Sequence, residues 1–363
     1  MLYQNTKLKI LYAVQATGNG HIARALQLMP HLQQYGEVDV FLSGNNSNLD
    51  AALPVKYRSK GLSLFYGNRG SLDYVKMLKE LSLKTLWNDA KNLPVEKYDI
   101  VINDFESITS LACKLKNVKS INFGHQASFS SPKTPRPQKK DFIGELVLRN
   151  YATTTEYIGL HFESYDDFIY SPIIKEQIIQ ATPINNGHVS VYLSHYSDEV
   201  VMRALNKCSD IPFHLFSKKA TEVEQKGNIT LMPISNEGFS NSMITSLGVI
   251  TGAGFETPAE ALYLGKKLLC LPIRGQYEQL CNAAALESFR VPIINTIDEN
   301  FAATTYQWLS GIQPKKLSLN QSTREIIEKV IEKGMALKTI DKNISHDILF
   351  KNELGNTDGL SLA

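Results

Sequence analysis

The chain has 363 residues, 43% of them apolar and 20% charged, and carries a net charge of +2. That length allows two or three domains with cores of native size, and the near balance of charge excludes a partner recognised by bulk electrostatics, nucleic acid included. Cys113, Cys208, Cys270 and Cys281 form no C-x-x-C pair, no run of 18 apolar residues exists, and residues 1–9 contain no apolar leader core, so the expectation is a reduced, cytoplasmic protein without a spanning helix or a zinc or redox site.

The first apolar run, residues 8–14, is short and rich in strand formers, and ends in the turn Gly18-Asn19-Gly20. A helical pattern follows over 21–35, with Ile22, Leu26 and Met29 on one face. Residues 38–42, 99–103 and 120–123 read as further strands, the last two flanking a helix over 108–116. Residues 131–137 form a basic, proline-punctuated loop that cannot be a helix interior. Residues 157–163 and 168–174 read as late strands of a first half, and 181–187 as a linker. The alternation then restarts. Strands are expected at 189–193, 211–216, 229–232, 248–251 and 267–271, and helices at 197–207, 236–246, 257–264, 278–288, 298–309 and 321–338. The last twenty or so residues carry little pattern.

Strands alternating with helices imply a parallel sheet covered on both faces. The fold class is therefore α/β, with two Rossmann-like, doubly wound domains, each placing ligands at the carboxyl ends of its strands. The expected division is 1–180 and 181–340, with 341–363 a tail and the helix from about 321 free to pack back on the first domain.

Three clusters are candidates for chemistry. In Gly18-Asn19-Gly20-His21, glycines allow close backbone approach and the helix start favours negative charge. A histidine there has the pKa range of a general base, about 6.5 when unperturbed. The blander explanation is a strand–helix turn that needs glycine. No glycine stands at Ala23, so the dinucleotide fingerprint is incomplete. In Thr251-Gly252-Ala253-Gly254-Phe255-Glu256-Thr257-Pro258-Ala259-Glu260, a glycine-rich turn again opens a helix, where backbone N–H groups can cradle a diphosphate, and Glu260 offers a carboxylate to a ribose diol. Thr257 to Glu260 also spells a T-x-x-E capping box with Pro258 at the first helical position, a purely local use for those residues. In Gly275-Gln276-Tyr277-Glu278-Gln279, polar groups at a helix start after a strand can meet sugar hydroxyls, or complement the helix dipole.

Together, in this order and spacing, the three clusters resemble the GT-B glycosyltransferases of the family 28 type, the group of the peptidoglycan N-acetylglucosaminyltransferases. The likeness is specific at residues 18–24 and over 231–286. It implies a GT-B fold and a cleft between the domains. It also implies transfer of a hexosyl or N-acetylhexosaminyl group from a nucleotide diphosphate sugar, UDP-linked in this family type, to an acceptor hydroxyl. By this resemblance Glu260 holds the ribose, Gly254, Phe255, Glu256 and Thr257 form the loop whose backbone meets the diphosphate, and Ile234 falls where the base is gripped by main chain. Glu278 and Gln279 contact the donor sugar, with Asn282 and Ala283 completing the motif. Gly20, a candidate donor-binding residue, and His21 belong to the first glycine loop, His21 being the candidate base or a donor-phosphate contact. The pattern departs at Leu193-Ser194-His195-Tyr196-Ser197, where relatives carry glycines; there Ser194 remains the candidate phosphate contact.

No Asp-x-Asp pair suggests a metal, and no cofactor is expected beyond the donor itself. Asp104 and Glu106 are substitute bases, with ordinary strand-end polarity as the alternative. The loop 131–140, with Lys133, Arg136, Lys139 and Lys140, leaves peripheral contact with anionic lipid open. Two rival functions share this architecture: a UDP-sugar 2-epimerase or hydrolase, and a non-catalytic nucleotide-sugar-binding protein.

Overall fold

A computed structural model describes residues 7–16, 19–44, 53–60 and 83–354, with the backbone alone for residues 19, 83 and 340–354. Gly18 and residues 355–363 lie outside the described residues.

The first half runs β1 (Leu8–Gln15), α1 (Asn19–Leu32), β2 (Gly36–Ser43), β3 (Val55–Ser59), α2 (Leu83–Asn92), β4 (Ile100–Asp104), α3 (Ser107–Lys116), β5 (Ile121–Gly124), α4 (Phe142–Asn150), β6 (Glu156–Leu160), β7 (Ile169–Tyr170) and α5 (Glu176–Ile179). Its strands form one sheet in the order β3-β2-β1-β4-β5-β6-β7, every pair parallel. All five residues of β4 are buried, as a strand covered on both faces requires. The chain winds outward from β1 to β3 and returns to β4, leaving a crevice between the carboxyl ends of β1 and β4.

The second half runs β8 (Val189–Tyr192), α6 (Asp198–Leu205), β9 (Phe213–Ser217), β10 (Glu224–Lys226), β11 (Ile229–Pro233), α7 (Asn236–Thr245), β12 (Gly248–Thr251), α8 (Glu256–Tyr263), β13 (Lys267–Cys270), α9 (Tyr277–Leu286), α10 (Phe301–Ser310) and α11 (Thr323–Leu354). Its order is β10-β11-β9-β8-β12-β13. Only β10, an exposed edge hairpin absent from the sequence pattern, is antiparallel. The equivalent crevice lies between β8 and β12.

α11 turns back onto the first sheet. Ile326, Ile327, Val330 and Ile331 are buried in one cluster with Ile10, Ile100 and Ile121, and Lys333 pairs with Glu156 at 2.8 Å. Its backbone stays helical to Leu354, well into the stretch whose sequence carries little pattern.

Candidate active site

The carboxyl ends of the two sheets face each other. His21 sits in the first turn of α1, and its Nδ1 lies 2.8 Å from Oδ1 of Asp104, the last residue of β4. A carboxylate can only accept, so Nδ1 carries the proton in this contact, and in the neutral ring that leaves the lone pair on Nε2. Arg24 lies three residues along the same helix, hence on the same face. It donates to both oxygens of Asp104, at 2.7 and 2.9 Å from Nη2 and 3.2 Å from Nε. Burial pushes the Asp104 carboxyl up, but the Arg24 and His21 charges outweigh it and hold the group down at about 2. It is therefore ionised across the physiological range. Gly124, at φ 155°, makes room for this pair: a Cβ there would stand 2.7 Å from Asp104 Oδ1.

The second half meets this group directly. Nη1 of Arg24 reaches the carboxylate of Glu256, the first residue of α8. Gly20 is shaped to this approach, since a Cβ on it would come within 2.7 Å of Glu256 Oε2. Phe255 is buried and stacks on His125, with ring centroids 3.9 Å apart and planes at 8°. His125 in turn lies 2.7 Å from Asn282 Oδ1, while Asn282 Nδ2 donates to Ala253 O at 3.1 Å. Gln126 donates to Glu278 Oε2 at 3.1 Å, and its Nε2 is 3.5 Å from His21 Nε2. The Gln126 carbonyl oxygen is buried without a hydrogen-bond partner among the described residues.

Glu260 is almost fully buried, and its partner is Lys175 Nζ at 3.1 Å. Burial raises its carboxyl, with Lys175 pulling the other way. The capping box does not form. α8 begins at Glu256 with Phe255 as N-cap and no side-chain cap bond, which places Thr257 inside the helix. Gly254 faces open space, with no atom within 4 Å of a Cβ built on it. Gln279 accepts from Ile273 N at 2.9 Å and is buried, with its amide end toward Gly252. Ile234 lies between the end of β11 and Ser235, the N-cap of α7. Ser194 is exposed in the turn after β8. Beside it, burial pushes His195 down to about 4.

Glu106, weighed as a base, is spent on its own helix: its two carboxylate oxygens accept from Ile108 N and Thr109 N at 2.8 and 2.6 Å. In the basic loop, Lys133 pairs with Asp166 and Arg136 with Glu145, leaving Lys139 and Lys140 exposed. They precede α4, whose Phe142, Ile143, Leu146 and Val147 are exposed apolar side chains. Among the described residues, no group of three or more His, Cys, Asp or Glu side chains is placed to hold a metal ion, and no helix is long and apolar enough to cross a membrane. Sequence reasoning did not single out Arg24, Gln126, His125 or Lys175. The signal for Arg24 was its i+3 spacing from His21; the others had none.

Among curated proteins, none matches the sequence. Solved structures do. UGT89C1 of Arabidopsis thaliana complexed with UDP-L-rhamnose has a TM-score of 0.57 at 15% identity, covering 94% of this chain and 99% of its own. Spinosyn forosaminyltransferase SpnP has a TM-score of 0.55 at 12% identity, covering 91% and 100%. UGT2 of Phytolacca americana complexed with UDP-2fluoro-glucose and pterostilbene has a TM-score of 0.55 at 12% identity, covering 92% and 95%. At these identities the likeness is one of fold, and that fold is GT-B. The sequence itself matches the family described as Glycosyl transferase family 1 over residues 8–305, and the chain therefore belongs to that family and is a glycosyltransferase.

Proposed function

We propose that the chain transfers a sugar from a UDP-linked donor to an acceptor hydroxyl, without a metal ion, using His21 as general base. The observation that carries this reading is the His21–Asp104 pair, set against the first turn of α8 across the cleft. His21 Nε2 takes the acceptor proton, the acceptor oxygen bonds to the anomeric carbon, and the bond from that carbon to the diphosphate oxygen breaks with its electron pair. Asp104 stabilises the imidazolium that forms. The leaving diphosphate gathers charge at the turn 252–257, where Gly254 leaves space open and the N–H groups of α8 and Thr257 are at hand. Ser194 joins from the turn after β8. Ile234 takes the base by main chain, Glu260 shares its carboxylate between Lys175 and the ribose, and Glu278 and Gln279 meet the sugar hydroxyls. Solved relatives of this fold carry UDP-L-rhamnose in one case and quercetin in another, which supports a nucleotide sugar and a small hydroxylated acceptor. The exposed face of α4, beside Lys139 and Lys140, is the surface we assign to peripheral contact with an anionic lipid bilayer.

The test is turnover of a panel of UDP-sugars with hydroxylated acceptors, read by mass spectrometry, together with thermal shift by UDP. The expected products are a glycoside and UDP, with His21→Ala lowering kcat about 10²–10⁴-fold while UDP still raises the melting point. Full activity in His21→Ala, or donor epimerised without acceptor, sinks the reading.

A further inference from the structure

Arg24 poses a problem for a base at His21. Its guanidinium stands 3.0 Å from the same Nδ1 that faces Asp104, and its charge cancels that of the carboxylate. A neutral Asp104–Arg24 pair gives an imidazolium little support. The missing negative charge comes from the other half of the molecule. Glu256 binds the far nitrogen of Arg24, so the set Asp104–Arg24–Glu256 carries one net negative charge next to His21. The approach is built in from both sides, because Gly20 alone leaves room for the Glu256 carboxylate. Burial opposes the Arg24 charge, but Asp104 and Glu256 more than offset this and push its pKa further up, so the guanidinium does not titrate.

We propose that Glu256 is a positioning residue of the second half that acts through Arg24 and Asp104 to set the basicity of His21, so that the base is fully formed only when the two halves are together. This rests on the reading of His21 as the base. Among the described residues, the other groups nearby are Gln126, 3.5 Å from Nε2, and Tyr12, whose hydroxyl approaches Asp104 at 3.4 Å. Beyond Gln126 stand Glu278 and His125. None of these supplies a charge in contact with Arg24. This role of the Glu256 side chain stands beside the diphosphate contact that the family resemblance gives residues 254–257, which is made by backbone: the carboxylate is committed to Arg24, and the main chain of the turn stays available to the donor.

Glu256→Gln tests this, because glutamine keeps an oxygen for Arg24 and removes only the charge. The side chain is 26% exposed, so the variant is expected to fold, with circular dichroism as the check. Two quantities are read: the acid limb of the kcat/KM profile, and the titration of the His21 ring by NMR on histidine labelled at Cε1, assigned by its loss in His21→Ala. Both midpoints are expected to move down by about one pH unit in Glu256→Gln, and to stay within about a third of that shift in Glu256→Asp. Unmoved midpoints overturn the coupling, even if activity falls at every pH, since a mere latch between the halves lowers activity without displacing the limb. The two readings fail separately. If the acid limb survives in the residual activity of His21→Ala, the base itself is misassigned. If His21→Ala abolishes the limb and Glu256→Gln leaves it in place, only the coupling is wrong.

Discussion

Asp104 is a carboxylate cut off from water and reached by Arg24, His21 and Tyr12. Asparagine in its place keeps the shape and removes the charge, leaving Arg24 buried with only Glu256 to balance it. Breaking a buried pair from one side costs about 3–5 kcal/mol, and the imidazolium loses its support, so Asp104→Asn is expected to lower both the urea midpoint and kcat. The pH dependence has a fixed sign. The folded carboxyl sits at about 2, below its unfolded value of about 3.9, so it contributes stability that is complete above pH 4 and lost as the pH falls toward 2. That contribution is roughly 2–3 kcal/mol. Urea midpoints measured between pH 5 and pH 2.5 should fall more steeply for the parent chain than for Asp104→Asn; parallel curves mean that the pair contributes nothing. Parts of this site could be read from sequence, because a glycine turn before a helix and an acid at a strand end are local patterns. The pairing of Arg24 with Glu256 spans 232 residues, and no periodicity records which end of one sheet meets which end of another.

Elements were legible where hydrophobic period and turn residues agreed. The strand expected over 248–251 is Gly248–Thr251, and the helix expected over 236–246 is Asn236–Thr245. α8 shows the competing force. Its T-x-x-E signature predicts a start at Thr257, but burial of Phe255 against His125 fixes the turn earlier, so tertiary packing overrides local capping. Glu260 is thereby released from its own helix and reaches Lys175. α4 was missed altogether, although Phe142, Ile143, Leu146 and Val147 recur at the i, i+4 spacing of one helix face; that face is exposed rather than turned to the core. Only Gly144 is buried on that helix. An apolar face behind Lys139 and Lys140 has the composition of an interfacial helix. The chain is expected to sediment with vesicles containing anionic lipid and not with neutral ones. Phe142→Glu should abolish this, and neutralising both lysines should weaken it by about 30-fold at low salt. A parent chain that stays in the supernatant removes the lipid surface from the list of partners.

At the scale of the whole molecule, the two sheets share one apolar cluster. Ile10 and Phe123 from the first half join Leu268 and Phe289 from the second through Phe162 and Phe255, whose rings lie 5.2 Å apart. Polar links cross the same seam, among them Arg24–Glu256, His125–Asn282, Gln126–Glu278 and Lys175–Glu260. A chain of this length with separable halves would unfold in steps. A continuous core argues instead for one transition, and Phe255 is central to it, since it packs against both Phe162 and the His125 ring. Phe255→Ala removes an aromatic that is 3% exposed, at a cost of about 3–5 kcal/mol charged to the seam rather than to either sheet. Calorimetry of the parent chain is expected to show a single endotherm and that of Phe255→Ala two. UDP, bound by the second half alone in the proposed reading, should raise only one of the two, because a ligand stabilises the unit that binds it. A single, uniformly lowered endotherm in the variant means that the halves are held together elsewhere, with α11, which runs from the second sheet back onto the first, as the element that holds them.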